Sequence, residues 1–109
     1  MQRWGAAGLA AAVLLVPGRL DAGAIYGSIF FNGAGLKGAA ITIACGSETV
    51  KGATLDDGSY RVSTPEGRCT LTVAGAFGTA SAEVTSASSA TRYSFEVVKG
   101  ASGYELRRQ

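Results

Sequence analysis

Two cysteines are the first residues of this chain whose type and spacing could do chemistry. Cys45 and Cys69 are the only cysteines, and the whole segment from Gly46 to Arg68 separates them. They therefore lack the Cys-x-x-Cys spacing that lowers the pKa of a redox thiol. We expect a structural disulfide rather than a redox pair, and the chain-entropy estimate of its contribution to stability is up to about 3.5 kcal/mol.

The second candidate for chemistry is the acidic pair Asp56-Asp57, the only two adjacent carboxylates in the chain. A carboxylate pair can transfer protons, and with the Ser59 hydroxyl it could contribute oxygens to a calcium site. Gly58 and Tyr60 follow, however, and this pattern is typical of a turn that leads into a new strand. The turn interpretation is favoured over catalysis. Calcium stays an open alternative, although the loop lacks the full EF-hand spacing.

The chain contains no histidine. This removes the usual general base, the Ser-His-Asp and Cys-His nucleophilic systems, and most zinc sites. We therefore predict no catalytic residue, no cofactor-binding residue and no metal ligand, and we expect that the protein is not an enzyme. The alternative is a small hydrolase, which would need carboxylates gathered in a cleft with shifted pKa values.

The N-terminus has the organisation of an export signal. Arg3 precedes an apolar run from Gly5 to Val16, Pro17-Gly18 interrupts it, and Ala22-Gly23-Ala24 has the small-x-small form of a cleavage site. We predict a signal peptide over residues 1–24 and a secreted or periplasmic protein. A permanent anchor is the weaker alternative, because the apolar run is shorter than the roughly 20 residues of a membrane span.

The predicted mature chain is nearly neutral. Without Arg3, Arg19 and Asp21 its net charge is +1, and its basic residues are scattered along the sequence. Such a chain has no nucleic-acid signature and no strong field that would steer a charged partner.

From Ile25 onwards the sequence alternates between apolar and polar residues, with turn residues at short intervals, which favours strands over helices. We predict an all-β, seven-stranded antiparallel sandwich over residues 25–99, followed by a tail over residues 100–109 in which Tyr104 and Leu106 could extend an edge strand. The predicted strands are Ile25–Phe31, Ala39–Cys45, Glu48–Leu55, Ser59–Ser63, Arg68–Ala74, Thr79–Thr85 and Thr91–Lys99.

The alternation also places the two cysteines. Cys45 falls on the same strand face as Ile41 and Ile43, and Cys69 on the same face as Leu71. A shift of one residue in either strand would point its sulfur at solvent. Both sulfurs are therefore expected to face the core, where they can meet.

The segment from Ile25 to Val73 resembles carboxypeptidase regulatory-like domains, which are small transthyretin-like β-sandwiches. One departure is Cys69, where the family commonly has an aromatic residue. The motifs that carry the resemblance are Tyr26-x-x-Ile29, Gly38-Ala39-x-Ile41-x-Ile43, Asp56-x-Gly58-x-Tyr60 and Gly67-x-Cys69-x-Leu71-x-Val73.

The resemblance implies a non-catalytic module for binding or for a structural role, because such domains usually accompany a catalytic, receptor or adhesive partner. A free-standing copy could bind a protein, a glycan or a second copy of itself, or serve as an accessory to an envelope hydrolase or carboxypeptidase system. No cofactor, no nucleic acid and no stable membrane span is expected.

Two surfaces are candidates for such binding. Tyr26, Phe30, Phe77 and Tyr104 could form a stacking platform for carbohydrate, although they could equally cover the core. The segment from Thr79 to Ala90 is rich in alanine, serine and threonine, and Glu83 is its only charged residue. A strand with so few charged side chains could pair with a partner strand if it lies at a sheet edge.

Overall fold

The structure is a computed structural model that describes residues 23–109. The predicted signal peptide lies outside the described residues, apart from Gly23 and Ala24, which already belong to the first strand. The strands are β1 (Gly23–Phe31), β2 (Ala34–Gly35), β3 (Ala40–Cys45), β4 (Glu48–Ala53), β5 (Ser59–Thr64), β6 (Gly67–Gly75), β7 (Gly78–Ser86), β8 (Thr91–Arg92), β9 (Phe95–Gly100) and β10 (Gly103–Arg108).

These strands form two sheets, so the all-β sandwich predicted from the sequence is confirmed. In the first sheet β1 is central: its N-terminal part pairs with β5 and β8, and its C-terminal end pairs with β9 and β2. Strand β10 is the outer neighbour of β9. In the second sheet the strand order is β4, β3, β6, β7.

Three details differ from the prediction. Residues 103–108, predicted as a tail that could extend an edge strand, form β10 and pair with β9 along its whole length. In addition, the sheet is not purely antiparallel, because β8 and β9 both run parallel to β1. The predicted strand from Thr91 to Lys99 is divided into β8 and β9, with Tyr93 and Ser94 between them.

The core lies between the sheets and is built from the faces that the alternation predicts. Ile25 and Ile29 of β1 meet Ile41, Ile43 and Leu71 of the second sheet, all with no more than 1% of their surface exposed. Burying one such side chain stabilises the fold by about 2 kcal/mol.

The two cysteines form a disulfide, as predicted, and it links adjacent strands of one sheet. Ala44 pairs with Thr70 across β3 and β6, so Cys45 lies directly opposite Cys69. Their Cα atoms are 4.3 Å apart, and the bond closes a sequence separation of 24 residues. Cys69 is buried and Cys45 is partly buried against the core.

Tyr93 lies in the break between β8 and β9 and joins the two sheets. Its N–H donates to the carbonyl of Tyr26 (2.7 Å), and its carbonyl accepts the hydroxyl of Tyr60 (2.6 Å). Its own hydroxyl accepts the N–H of Thr85 from β7 in the other sheet (2.9 Å). A break in one strand thus supplies a contact that crosses the sandwich.

Replacing Tyr60 by phenylalanine is expected to lower the free energy of unfolding by about 1–2 kcal/mol, because the buried carbonyl of Tyr93 loses its donor. Chemical denaturation of the two proteins at neutral pH measures this difference. An unchanged midpoint would contradict it.

The same substitution should change the dependence of stability on pH. Burial, assisted by the nearby Tyr93, raises the pKa of Tyr60 above its ordinary value. In the unfolded chain the phenol loses its proton near pH 10, whereas the folded protein retains it, so stability falls as the pH rises above about 10. The Tyr60→Phe protein should lose less unfolding free energy between about pH 9 and 11 than the parent protein.

Candidate functional site

The two carboxylates of the acidic turn already have partners within the protein. The Oδ1 atom of Asp57 accepts the N–H of Ser59 (3.0 Å) and the hydroxyl of Ser59 (2.6 Å), and these bonds lower the pKa of the Asp57 carboxyl. Asp56 lies 3.9 Å from the ammonium of Lys37 on the exposed surface. Within residues 23–109 no three acidic, cysteine or histidine side chains gather in a way that could hold a metal ion.

The turn also positions a strand. The N–H of Gly58 donates to the carbonyl of Leu55 (3.0 Å), and its carbonyl accepts the N–H of Ile29 in β1 (2.9 Å). Tyr60 then enters the core two residues later. The geometry of Asp56, Asp57, Gly58 and Tyr60 is thus that of a turn which docks onto the first sheet.

The four aromatic candidates separate into two places. Phe77, in the turn between β6 and β7, and Tyr104 of β10 meet at one end of the sandwich with their ring centroids 5.4 Å apart. Phe31, the last residue of β1, completes this aromatic cluster at 5.6 Å from Phe77. Tyr26 and Phe30 instead alternate with the buried residues of β1 and lie on the outer side of its sheet.

A cleft of about 380 Å³ adjoins the cluster, lined by Phe31 and Tyr104 together with Asn32 and residues 96–99. Phe31 and Phe77 are stacked on each other with a 28° angle between their planes, and Tyr104 meets both rings edge-on. The rings thus use their faces to pack together and do not form a coplanar platform. This arrangement closes the end of the core and does not favour the carbohydrate-stacking interpretation.

Phe31 is not one of the four aromatic residues that the sequence suggested as a stacking platform. The sequence does contain a signal for its position, because Phe31 is the last inward-facing residue of its strand and is followed by the Asn32-Gly33 turn. An inward aromatic residue at a strand end lies where the core opens to solvent.

The edge of the second sheet offers a clearer interaction surface. Strand β7 pairs with β6 on one side only, in a hairpin whose last pair is Gly75 with Gly78. In such a two-residue hairpin the closing pair is hydrogen-bonded, and every second pair after it is hydrogen-bonded too. The N–H and C=O groups of Thr79, Ser81, Glu83 and Thr85 therefore point away from β6.

One of these four residues is already partnered. The N–H of Thr85 donates to the Tyr93 hydroxyl, which ends the free edge on that side. Among the described residues no backbone group outside the ladder pairs with Thr79, Ser81 or Glu83. Strand β10 of the first sheet passes close beside β7. The unpaired backbone groups from Thr79 to Glu83, which span about 13 Å, form the free edge of β7 and are the candidate functional site.

The sheet face beside this edge carries small side chains with hydroxyl and methyl groups. Ser81 pairs with Thr72, which pairs with Thr42, and the hydroxyls of Ser81 and Thr72 are 2.8 Å apart. Thr79 pairs in the same way with Ala74 and Ala40. Glu83 is the only charged residue of β7, so nothing along this strand except Glu83 repels a second strand.

No family model matches the chain, and no curated protein matches it in sequence. Solved structures do match its fold. The 5-hydroxyisourate hydrolase of Klebsiella pneumoniae superposes with a TM-score of 0.61 at 17% identity, over 80% of this chain and 98% of the hydrolase. The fold is transthyretin-like. The Bacillus anthracis TIE protein superposes with a TM-score of 0.52 at 15% identity, over 77% of this chain and 16% of the TIE protein.

The likeness to the hydrolase corrects one prediction. We expected that the protein is not an enzyme, and this is overturned, because a protein that shares this fold over 98% of its own length is a hydrolase. The expectation rested on the missing histidine, whereas tyrosine and carboxylate side chains can also transfer protons. At 17% identity, the similarity shows that the two proteins share a fold and nothing further.

One finding bears on the compartment. Cys45 and Cys69 are joined, and disulfides persist mainly in oxidising environments outside the cytosol. Over residues 23–109 no helix is long and apolar enough to cross a membrane.

Proposed function

We propose that this protein is a secreted or periplasmic interaction domain that accepts an extended protein strand along the free edge of β7. The observation that carries the proposal is the row of unpaired backbone groups from Thr79 to Glu83 on a strand with one charge. Strand addition is a common recognition mode, in which backbone hydrogen bonds supply affinity. The disulfide and the signal-peptide pattern support the compartment, and the motifs over Ile25 to Val73 support a carboxypeptidase regulatory-like subtype.

A second copy of this chain is the partner that the residue pattern favours. Two β7 strands related by a two-fold axis through Ser81 would pair Ser81 with Ser81 and Thr79 with Glu83. All these residues point their backbone groups outwards, so about six hydrogen bonds could form. The two Glu83 carboxylates would each face a threonine rather than each other, which avoids like-charge repulsion.

Ser81→Pro is expected to abolish this association. Proline removes the outward N–H at the centre of the edge, and proline is tolerated on edge strands because that N–H makes no ladder bond. Lys51→Pro is the matched control. Lys51 lies on β4, the opposite edge of the same sheet, and its N–H also points outwards, since Cys45 and Glu48 close the hairpin that contains it.

Sedimentation equilibrium should show a dimer for the parent protein and for Lys51→Pro, and a monomer for Ser81→Pro. Hydrogen exchange supplies a reading at single residues: the amides of Thr79, Ser81 and Glu83 should become protected as the protein concentration rises. A parent protein that stays monomeric with unprotected edge amides would exclude self-pairing. Equal dimerisation by Ser81→Pro would place the interface elsewhere.

A hydrolytic activity is a second candidate, and the fold shared with 5-hydroxyisourate hydrolase is the observation that favours it. The decay of 5-hydroxyisourate followed by absorbance, with and without the protein, tests it directly. A rate that increases in proportion to protein concentration would support the activity, and an unchanged rate would limit the likeness to the fold.

A further inference from the structure

Three arginines that are far apart in the sequence lie near one end of the first sheet. Arg61 and Arg92 are on its outer face, and Arg108 is on the side of the buried Phe95, with which it pairs. Arg61 of β5 and Arg92 of β8 both pair with Tyr26 of β1, one on each side, so all three residues share the outer face. Arg108 of β10 donates to the carbonyl of Arg92 (3.0 Å). We call Arg61, Arg92 and Arg108 the arginine row.

Within residues 23–109 no carboxylate forms an ion pair with this row. The salt bridges of residues 23–109 are Lys37 with Asp56 and Arg107 with Glu96, and neither includes an arginine of the row. The predicted mature chain has a net charge of only +1, so three unpaired arginines at one end are a marked local excess of positive charge. Such an excess attracts anions from solution.

Two of the three guanidinium groups are held in place. Arg108 lies over the ring of Tyr93, with Cζ 4.2 Å from the ring centroid, and Arg61 lies over the ring of Tyr26 at 5.8 Å. Stacking on an aromatic ring leaves the edge of a guanidinium free to donate hydrogen bonds. A charge fixed in this way loses less conformational entropy when it binds a ligand.

A cleft of about 290 Å³ opens beside the row, lined by Arg92, Arg108, Ser94 and Gln109. Ser94 is 6% exposed, and its oxygen accepts the N–H of Ser28 (3.1 Å). Its hydroxyl hydrogen has no acceptor among residues 23–109, and a buried donor without a partner is costly. Two arginines, this hydroxyl and the Gln109 amide make the cleft rich in donors, and its lining has no aspartate or glutamate side chain, although Gln109 also carries the terminal carboxylate.

We propose that this cleft binds a small oxyanion, the carboxylate or phosphate group of a low-molecular-weight ligand. The Arg92 and Arg108 guanidinium groups hold the oxygens through paired N–H donors, a geometry that fits both groups. The Ser94 hydroxyl supplies a further donor and gains the acceptor that it lacks. The site does not depend on pairing at β7.

The test is a titration of the protein with inorganic phosphate and with glucuronate, followed by NMR through the amides of Arg92, Ser94 and Gln109. Glucose serves as the uncharged control for glucuronate. We expect saturable shifts with both anions, none with glucose, and weaker binding as sodium chloride is raised. Shifts that stay linear up to about 50 mM would mean an adventitious ion only, and would overturn the proposal.

Arg92→Gln should weaken the binding roughly ten-fold, because it removes one charged donor pair. Arg68→Gln, an exposed arginine on β6 of the other sheet, is the matched control and should bind like the parent. Equal affinities of the two variants would overturn the proposal.

Two further experiments test whether the terminal carboxylate competes with the ligand and whether the anion comes from a lipid. A chain extended by Gly-Ser after Gln109 moves the terminal carboxylate away from Arg108, and it should bind at least as tightly as the parent. Vesicles of phosphatidylcholine with and without phosphatidylglycerol test a lipid headgroup. Binding to the anionic vesicles without binding to either small anion would overturn the small-ligand assignment.

Discussion

Removing the Cys45–Cys69 bond is expected to lower the free energy of unfolding by about 3.5 kcal/mol, the largest loss that any single bond of this domain should produce. Most of the effect comes from the unfolded chain, which regains the freedom of the loop that the bond closes. For a domain of this size the melting temperature should fall by about 15 °C. Thermal unfolding of the Cys45→Ala/Cys69→Ala protein measures this change.

The parent protein in reducing solution is the control for packing. It keeps both sulfur atoms in place, so its stability differs from that of the oxidised protein through the bond alone. The double alanine protein should be less stable still, because Cys69 is buried and its side chain leaves a small cavity. Oxidised and reduced proteins that melt together would show that the bond does not restrict the unfolded chain.

The strands of this domain could be predicted because they carry local signals. Ile41, Ile43 and Cys45 alternate with small alanine and threonine residues, and their burial depends on a periodicity visible in any short window. The disulfide followed from the same periodicity, since both cysteines had to face inwards. The Asp57-Gly58 turn could be predicted for a similar reason, because its residue types specify a backbone shape.

What could not be predicted depends on pairing between distant segments. Strand β10 has few large apolar residues, with only Tyr104 and Leu106 partly buried against the core, so its strand character comes from its pairing with β9. The arginine row has the same origin. Arg61, Arg92 and Arg108 are scattered in sequence, and only the register of β5, β1 and β8 and the position of β10 gather them.

Gly58→Ala is expected to cost roughly 3 kcal/mol of unfolding free energy, for two reasons that add. Gly58 has φ of +87°, a conformation that costs a residue with a Cβ about 1–2 kcal/mol. An added Cβ would also lie 2.7 Å from the Cα of Gly35 and 2.7 Å from the carbonyl oxygen of Ile29. Both neighbours are backbone atoms, so neither can move aside without disturbing β1.

Gly33→Ala separates the two contributions, because Gly33 also has a positive φ, +81°, yet an added Cβ there meets no atom within 4 Å. It should therefore lose only the conformational part, about 1–2 kcal/mol. Urea denaturation of both variants, with the parent alongside, measures the difference. If the two alanines cost the same, the close approach of the Gly58 turn to Gly35 and β1 contributes nothing. A larger loss at Gly58 would show that this backbone contact, which the Asp-Asp-Gly sequence makes possible, fixes the turn against the first sheet.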